Sequence, residues 1–442
     1  MKKNVRLIIL IFLVAAATYI IANGFSKPGY QIVKLSGSEN FCNYSHNGLN
    51  QIIGQNPEGI SALPLFDDEL IGLGIEGEDI FYRYRKSDGT NLVFRWDEFL
   101  LYLNDKVIFA SIKEDSKVLE WIKEINSKGE TTLRSISVGD SLPQAYREEL
   151  KKLGEIKSDI GLILDNTRTE IDSLLMIFNP TWMVIQEYSA PLSNDLNKLE
   201  LLWTNVENLD LNALANLSKL KYLFLSNNEP AIKLEKLKLP KQLKRLYLFE
   251  CEVMDWDFLE DLSSLEHLSI TGLDSLAIGK YIIHLNSLQS LSLAGCKNIL
   301  DIETLKELSS LVRVSYPMDI SQEDFNTFVT NQKDLEILDL IGTEHINSLE
   351  VLKDHPKIAC LGLTETGILM DSLFDLQHLK YLAYSFDQEN DSSELEKLKG
   401  ILPNTLIVPS SGLCLGSGWL LLFIPFLLLM GVGLGLRKKR IR

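Results

Sequence analysis

The sequence predicts an α/β solenoid of short repeats with a parallel β-sheet on its concave face. A small α+β domain precedes it, and a membrane-spanning helix follows. Three observations predict this order. Leucines recur in one phase at intervals of 21 to 24 residues across 199–387, whereas residues 25–130 show hairpin and helix patterns of another kind. An apolar run over 419–436 then precedes a basic end.

Composition and charge restrict the possible partners. The 442 residues carry a formal net charge of −16, and 8 of the 44 basic residues lie in two terminal tails that contain no acids. The body between them therefore holds 36 basic against 60 acidic residues, a charge of −24. Such a body repels nucleic acid and anionic lipid, so we expect no nucleic-acid partner. The five scattered cysteines predict neither a disulfide framework nor a zinc site.

The first 24 residues have the pattern of a secretory signal. Lys2, Lys3 and Arg6 precede an uncharged, mostly apolar run over 7–22. Sixteen residues are long for the apolar core of a signal peptide and short for a spanning helix, which needs about 20. A cleaved signal peptide and an uncleaved N-terminal anchor both remain open.

Residues 25–130 predict a small α+β domain that caps the solenoid. Alternating apolar residues flank Asp88-Gly89, a typical hairpin turn, and a second hairpin is predicted around Asn104-Asp105. An amphipathic helix is predicted from about 115 to Gly129. Its apolar positions are Val118, Leu119, Ile122 and Ile125.

The repeats follow the pattern L-x-x-L-x-L-x-x-N/C-x-L, as in 220–228 (LKYLFLSNN) and 243–251 (LKRLYLFEC). The opening positions are Leu199, Leu220, Leu243, Leu265, Leu288, Leu311, Leu335, Ile358 and Leu379. Weaker copies near 133–138, 163, 185 and 403–408 extend the solenoid to 131–409. This pattern resembles the leucine-rich repeat family, closest in repeat length to the bacterial internalin-like class. The resemblance implies a solenoid that binds another molecule.

The pattern assigns each position to a face. Leucines at the first, fourth and sixth positions point inward, so that stacked repeats share one core. The ninth positions are predicted to be buried and to satisfy backbone groups where the chain turns. They are Asn228, Cys251, Cys296 and Thr343. The two cysteines lie two repeats apart, about 10 Å, which is too far for a disulfide.

The third, fifth and seventh positions line the concave face and carry the candidate binding site. Aromatic residues concentrate there on three adjacent strands, beside an arginine, and interfaces favour these residue types. The candidate partner-binding residues are Trp203, Tyr222, Phe224, Arg245, Tyr247 and Phe249. The alternative is that these rings pack on one another or under the preceding domain.

The C-terminal end predicts a Gly/Ser linker over 410–418, a transmembrane helix over 419–436 and a basic cytoplasmic tail over 437–442. The positive-inside rule puts both basic tails in the cytoplasm and the body outside. This end also resembles a tripartite bacterial sorting tail, so a permanent anchor and a processed signal both remain open. Residues 402–405 match the sortase letters LPxT, but Leu406 replaces the glycine, which favours a last strand.

Two further motifs invite a catalytic interpretation. Gly139-Asp140-Ser141 with Asp375 and His378 resembles the blocks of GDSL-type hydrolases, although the solenoid repeats separate the two halves. The glycine fingerprint over 72–77 fits dinucleotide binding only if a helix follows it, and a strand-like segment follows instead. We therefore expect a glycine-rich loop there, with no cofactor, no metal and no catalytic residues.

The sequence thus predicts a non-catalytic, membrane-anchored, extracytoplasmic protein of a bacterial cell envelope that binds a protein or a surface polymer. One alternative is a structural envelope component without a ligand on its concave face. A less favoured one is a hydrolase that uses Ser141.

Overall fold

The structure is a computed structural model. It describes residues 30–34, 41–45, 52–53, 69–76, 79–86, 91–97, 100–103, 106–112, 116–133, 135–138, 142–164, 171–185, 196–205, 211–227, 233–234, 237–364, 366–384 and 391–409. The predicted signal segment over 1–24, the linker over 410–418, the transmembrane helix over 419–436 and the basic tail lie outside these residues. Among the residues described, no helix has the length and apolar character needed to span a bilayer.

The strands before the solenoid are antiparallel. A three-stranded sheet contains β1, β2 and β3. Strands β4 to β8 pair with their neighbours in sequence as a meander. The bounds are β1 Tyr30–Lys34, β2 Phe41–Ser45, β3 Ile52–Ile53, β4 Glu69–Glu76, β5 Asp79–Lys86, β6 Asn91–Asp97, β7 Leu100–Leu103 and β8 Lys106–Ile112.

The solenoid strands are parallel and stack in sequence order. β8 pairs in parallel with β9, so the meander and the solenoid share one sheet that continues to β23. Its strands are β9 Ser135–Val138, β10 Gly161–Leu164, β11 Trp182–Ile185, β12 Leu201–Asn205, β13 Tyr222–Ser226, β15 Arg245–Phe249, β17 His267–Thr271, β18 Ser290–Ser292, β19 Arg313–Ser315, β20 Ile337–Ile341, β21 Cys360–Thr364, β22 Tyr381–Tyr384 and β23 Leu406–Pro409. Two short strands, β14 Lys233–Leu234 and β16 Glu252–Val253, pair outside this sheet.

Helices and 3₁₀ turns connect the strands. The helices are α1 Ser116–Lys128, α2 Gln144–Ile156, α3 Ile171–Ile177, α4 Gly279–Ile282, α5 Ile302–Leu305, α6 Gln322–Asn331 and α7 Asp391–Ile401. The 3₁₀ turns are Leu211–Asn216, Asp257–Asp261, Glu350–Leu352 and Met370–Leu373. One apolar core contains both the strand leucines and the apolar side chains of the connecting segments. All nine predicted opening positions are buried in it, which confirms the repeat phase.

The local predictions before the repeats are confirmed. β5 and β6 form the hairpin around Asp88-Gly89, and β7 and β8 form the second hairpin. The predicted helix is α1, and Gly129 follows it with φ +68°, a conformation that costs glycine little. The weaker repeat copies are also confirmed, because β9, β10, β11 and β23 continue the parallel sheet. Leu406 begins β23, so the LPxT letters precede a strand.

One sequence prediction needs correction. Gly72 and Gly74 lie inside β4, which pairs with β5 in a hairpin, so the predicted glycine-rich loop is wrong at these positions. A strand follows β4, which also removes the helix that a dinucleotide site requires. Among the predicted ninth positions, Asn228 lies outside the described residues, so its burial stays a prediction. Cys251, Cys296 and Thr343 are buried as predicted.

Buried thiols and left-handed glycines lie just after several of the solenoid strands. The Cys251 thiol donates to the Leu225 carbonyl at 3.5 Å, and the Cys296 thiol donates to the Ile270 carbonyl at 3.3 Å. Both cysteines are free. Burial raises the pKa of Cys251 to about 12, so the group stays a neutral thiol. Gly272 and Gly295 follow successive strands with φ +78° and +74°, a left-handed turn that needs no Cβ.

Candidate functional site

A row of aromatic rings lies across the concave face. The parallel register of β12, β13 and β15 places Trp203, Phe224 and Tyr247 side by side. The Phe224 and Tyr247 centroids are 4.2 Å apart at an interplanar angle of 7°, and the Trp203 and Phe224 centroids are 5.7 Å apart at 30°. All three side chains remain partly exposed. Stacking holds the rings at fixed positions, which reduces the entropy that a ligand must remove.

The remaining candidate residues have different roles. Tyr222 is only 6% exposed, and the Arg245 guanidinium carbon lies 5.6 Å from its ring centroid. Tyr222 therefore supports Arg245 and offers little surface of its own, in contrast to its predicted role. Phe249 is 51% exposed at the C-terminal end of β15. As the seventh position of its repeat, Phe249 shares the concave face with Tyr247 and extends the apolar surface of that strand.

A polar strip continues the row beyond Tyr247. Ser269 and Ser292 occupy the next fifth positions, and His267 and Ser290 occupy the next third positions after Arg245. Burial, together with the nearby positive charges of Arg245 and Arg313, lowers the pKa of His267 to about 3. The imidazole is therefore neutral at neutral pH and can both donate and accept a hydrogen bond. His267 was not among the residues predicted from the sequence, although its third position in the repeat pattern identifies it as a concave-face residue.

The third positions are buried towards both ends of the concave face. At the third position, Trp182 is 3% exposed and Leu201 7% near one end, while Ile337 and Cys360 are fully buried near the other. None of these side chains belongs to the core cluster beneath the sheet. Between these ends, the residues of β15, β17 and β18 remain accessible. We call this region the open window and define it as Arg245, Tyr247, Phe249, His267, Ser269, Ser290 and Ser292.

A buried ion pair borders the open window on its C-terminal side. The Arg313 Nη2 lies 3.2 Å from the Asp339 Oδ2, and the Ser315 hydroxyl donates to the same oxygen at 3.2 Å. The Arg313 and Asp339 side chains are only 11% and 10% exposed. The pair balances its own charge, so this part of the face offers neither a free cation nor a free anion to a ligand.

The hydrolase interpretation gains no support in the described part of the chain. Ser141 lies outside it, and the Asp375 Oδ2 pairs with the Lys353 Nζ at 3.0 Å on the surface. Burial lowers the pKa of His378. Within the described ranges, no group of three or more His, Cys, Asp or Glu residues could hold a metal ion.

Comparison with solved structures finds proteins that align with this chain at low sequence identity. An internalin (InlF) from Listeria monocytogenes aligns over 67% of this chain and 82% of its own, with 20% identity and a TM-score of 0.35. A leucine-rich repeat protein of Leptospira interrogans aligns over 67% and 99%, with 16% identity and a TM-score of 0.36. The TLR13–ssRNA13 complex aligns over 63% and 47%, with 16% identity and a TM-score of 0.41. No protein-family model matches the chain, and no curated relative does. The repeat phase and the parallel sheet of this chain itself are those of a leucine-rich repeat solenoid.

Proposed function

We propose that this leucine-rich repeat protein binds another protein through the open window and performs no chemistry. The observation that carries the proposal is the stacked row of Trp203, Phe224 and Tyr247, which leads to the exposed Phe249 beside Arg245. Aromatic side chains and arginine dominate interface hot spots, because they bury large rigid surfaces at a low entropy cost. The neighbouring serines and neutral His267 supply hydrogen bonds for a polar part of the partner.

We further propose that the body lies outside the cytoplasm of a bacterial cell and is held by its C-terminal helix. The apolar runs and basic tails of the sequence support this location. A second support is that Cys360 is disulfide-bonded, since structural disulfides persist in oxidising compartments. The open window supports the proposal of a non-catalytic role, because it combines ring surfaces and hydroxyls with His267, beside which the described residues place no metal cluster.

The test measures the affinity of the full-length chain for washed cell envelopes of its source organism. The envelopes come from a strain that lacks the gene for this chain. Tyr247→Ala and Phe249→Ala should each weaken saturable binding by about 1–3 kcal/mol, which is about 5- to 150-fold. Met254→Ala is the matched control, because Met254 is a 60% exposed apolar side chain outside the open window. It should change the affinity by less than about twofold.

Pretreatment of the envelopes with a protease distinguishes the class of partner. Loss of the saturable binding after proteolysis supports a protein partner, whereas its retention would indicate a surface polymer. If Tyr247→Ala and Phe249→Ala bind as well as the wild type, the open window is not the binding site. The alternative of a structural envelope component would then be favoured.

A further inference from the structure

The row of stacked rings on the concave face ends at Tyr247. The Phe224 ring covers one face of the Tyr247 ring, with the centroids 4.2 Å apart and the planes at 7°. On the opposite side, the register places Ser269 of β17 next to Tyr247. A serine carries no ring, so the row stops there. The second face of the Tyr247 ring, towards β17, therefore has no other ring of the described residues stacked against it.

A slot lies beside this uncovered face. Ser269 and Ser292 occupy successive fifth positions on β17 and β18, which are about 4.8 Å apart, and we call the space above these two serines the slot. Both side chains are partly exposed. Beyond them, Ser315 is only 5% exposed and donates to Asp339, so the slot ends at β19. Two strand spacings leave room for one more flat group, because the existing rings follow one another at one strand spacing.

Polar groups line the slot. They are the hydroxyls of Ser269, Ser290 and Ser292 and the imidazole of His267, and all four residues are partly exposed. Within the part of the chain that the structure describes, none of these four side chains makes a hydrogen bond. A group that displaces water from them must supply hydrogen bonds in its place, or affinity is lost. The slot therefore suits a group that combines a flat face with a polar edge.

The electrostatics of the slot disfavour a charged group. Burial and then the positive charges of Arg245 and Arg313 lower the pKa of His267 to about 3. A lysine or arginine of the partner would meet the same unfavourable potential as a proton on this imidazole. A carboxylate would instead meet the face of the Tyr247 ring, which carries the negative part of the ring quadrupole. A neutral ring avoids both penalties.

We propose that the partner inserts the side chain of a tyrosine or a tryptophan into the slot, where its ring stacks on Tyr247 as the fourth ring of the row. This inference rests on the proposed function, because it names the group by which the partner is held in the open window. The stacked pair contributes binding energy beyond its buried area, as aromatic pairs do. The hydroxyl or N–H on the edge of the inserted ring replaces the water at Ser269, Ser292 or His267.

Saturation-transfer NMR on the full-length chain tests the slot without the partner. The probe is p-cresol, which has the ring and the hydroxyl of a tyrosine side chain. The wild type should transfer saturation to p-cresol. Ser269→Phe should remove most of this signal, because the ring of the variant fills the slot. Three neighbouring fifth positions already hold rings, so a fourth ring is compatible with the fold. Ser264→Phe is the matched control and should keep the signal, since Ser264 is exposed outside the open window.

Two further probes test the chemistry of the slot. N-propylguanidinium has the flat, charged group of an arginine side chain, and cyclohexylmethanol has a hydroxyl without a flat ring. Neither should give a signal that Ser269→Phe removes. Equal p-cresol signals from the wild type and Ser269→Phe would overturn the proposal. A signal from either of the other probes that Ser269→Phe removes would overturn it as well.

Binding to the envelopes that lack this chain gives the second readout. Ser269→Phe should weaken saturable binding by about 30-fold or more, the loss that one anchor residue of an interface causes. Ser269→Ala leaves the slot open and removes one hydroxyl, so it should weaken binding by no more than about fivefold. If Tyr247→Ala weakens binding but Ser269→Phe does not, the inserted ring is refuted and the open window remains the binding site. If neither weakens binding, the proposed function fails together with this inference.

Discussion

Asp339 offers a direct test of how strongly the concave face is desolvated. Its carboxylate accepts from the Arg313 guanidinium and from the Ser315 hydroxyl, both at 3.2 Å, and the residue is only 7% exposed. Asp339→Ala removes the counter-charge from a guanidinium whose side chain is 11% exposed. Losing one member of a buried ion pair costs about 3–5 kcal/mol. We therefore expect the free energy of unfolding to fall by about 3 kcal/mol or more.

The assay is equilibrium unfolding in urea at neutral pH, with circular dichroism as the signal. Asp261→Ala is the matched control, because the Asp261 carboxylate pairs with Lys241 at 2.7 Å while 65% exposed. Surface pairs contribute about 0–1 kcal/mol, so the control should lose no more than that. If the two variants lose equal stability, the desolvation argument is refuted. Replacing both Arg313 and Asp339 with apolar residues should restore much of the loss.

Three further predictions concern the concave face and the core. His267→Gln should flatten the fall in stability as pH decreases from about 6.5 to about 3. In this pH range the His267 imidazole is protonated in the unfolded chain but stays neutral in the folded chain, where its pKa is about 3. The free energy of unfolding therefore falls by up to about 1.4 kcal/mol for each pH unit of acidification. An unchanged pH profile would contradict this assignment. Phe325→Ala should cost about 3–5 kcal/mol in urea denaturation, because the ring is fully buried and meets Tyr316 edge-on at 5.6 Å. A loss below about 1 kcal/mol would show that the site is loosely packed. Gly161→Ala should lower the melting temperature, because the new Cβ would collide with the Trp182 indole, and a gain in melting temperature would exclude this close packing.

The solenoid was predictable from the sequence because its period is encoded directly in the leucines. Each opening leucine fixes the phase of one strand, and stacking then determines which neighbours pair. Even the weaker copies at β9, β10 and β11 keep this phase. The strand position of Gly72 and Gly74 was not predictable, because two glycines suggest a loop whereas the pairing with β5 determines the conformation.

The candidate site was predictable only in part. Periodicity places Trp203, Phe224 and Tyr247 in one row, since the fifth positions share a face. It does not reveal that Tyr222 is covered or that His267 is neutral, because both depend on contacts between strands. The sequence also predicted no disulfide framework. Cys360 is nevertheless disulfide-bonded, which the spacing of the five cysteines does not indicate.

Site-specific photo-crosslinking tests most directly whether the partner contacts the open window. A photoreactive phenylalanine analogue would replace Phe249 in one full-length variant and Met254 in another, expressed in the source organism. Both side chains are more than half exposed, so a photoreactive group at either position is equally accessible to a bound partner. Position 249 should give one discrete protein adduct, and position 254 should give none. Adducts of equal yield at both positions, or none at position 249, would contradict this prediction.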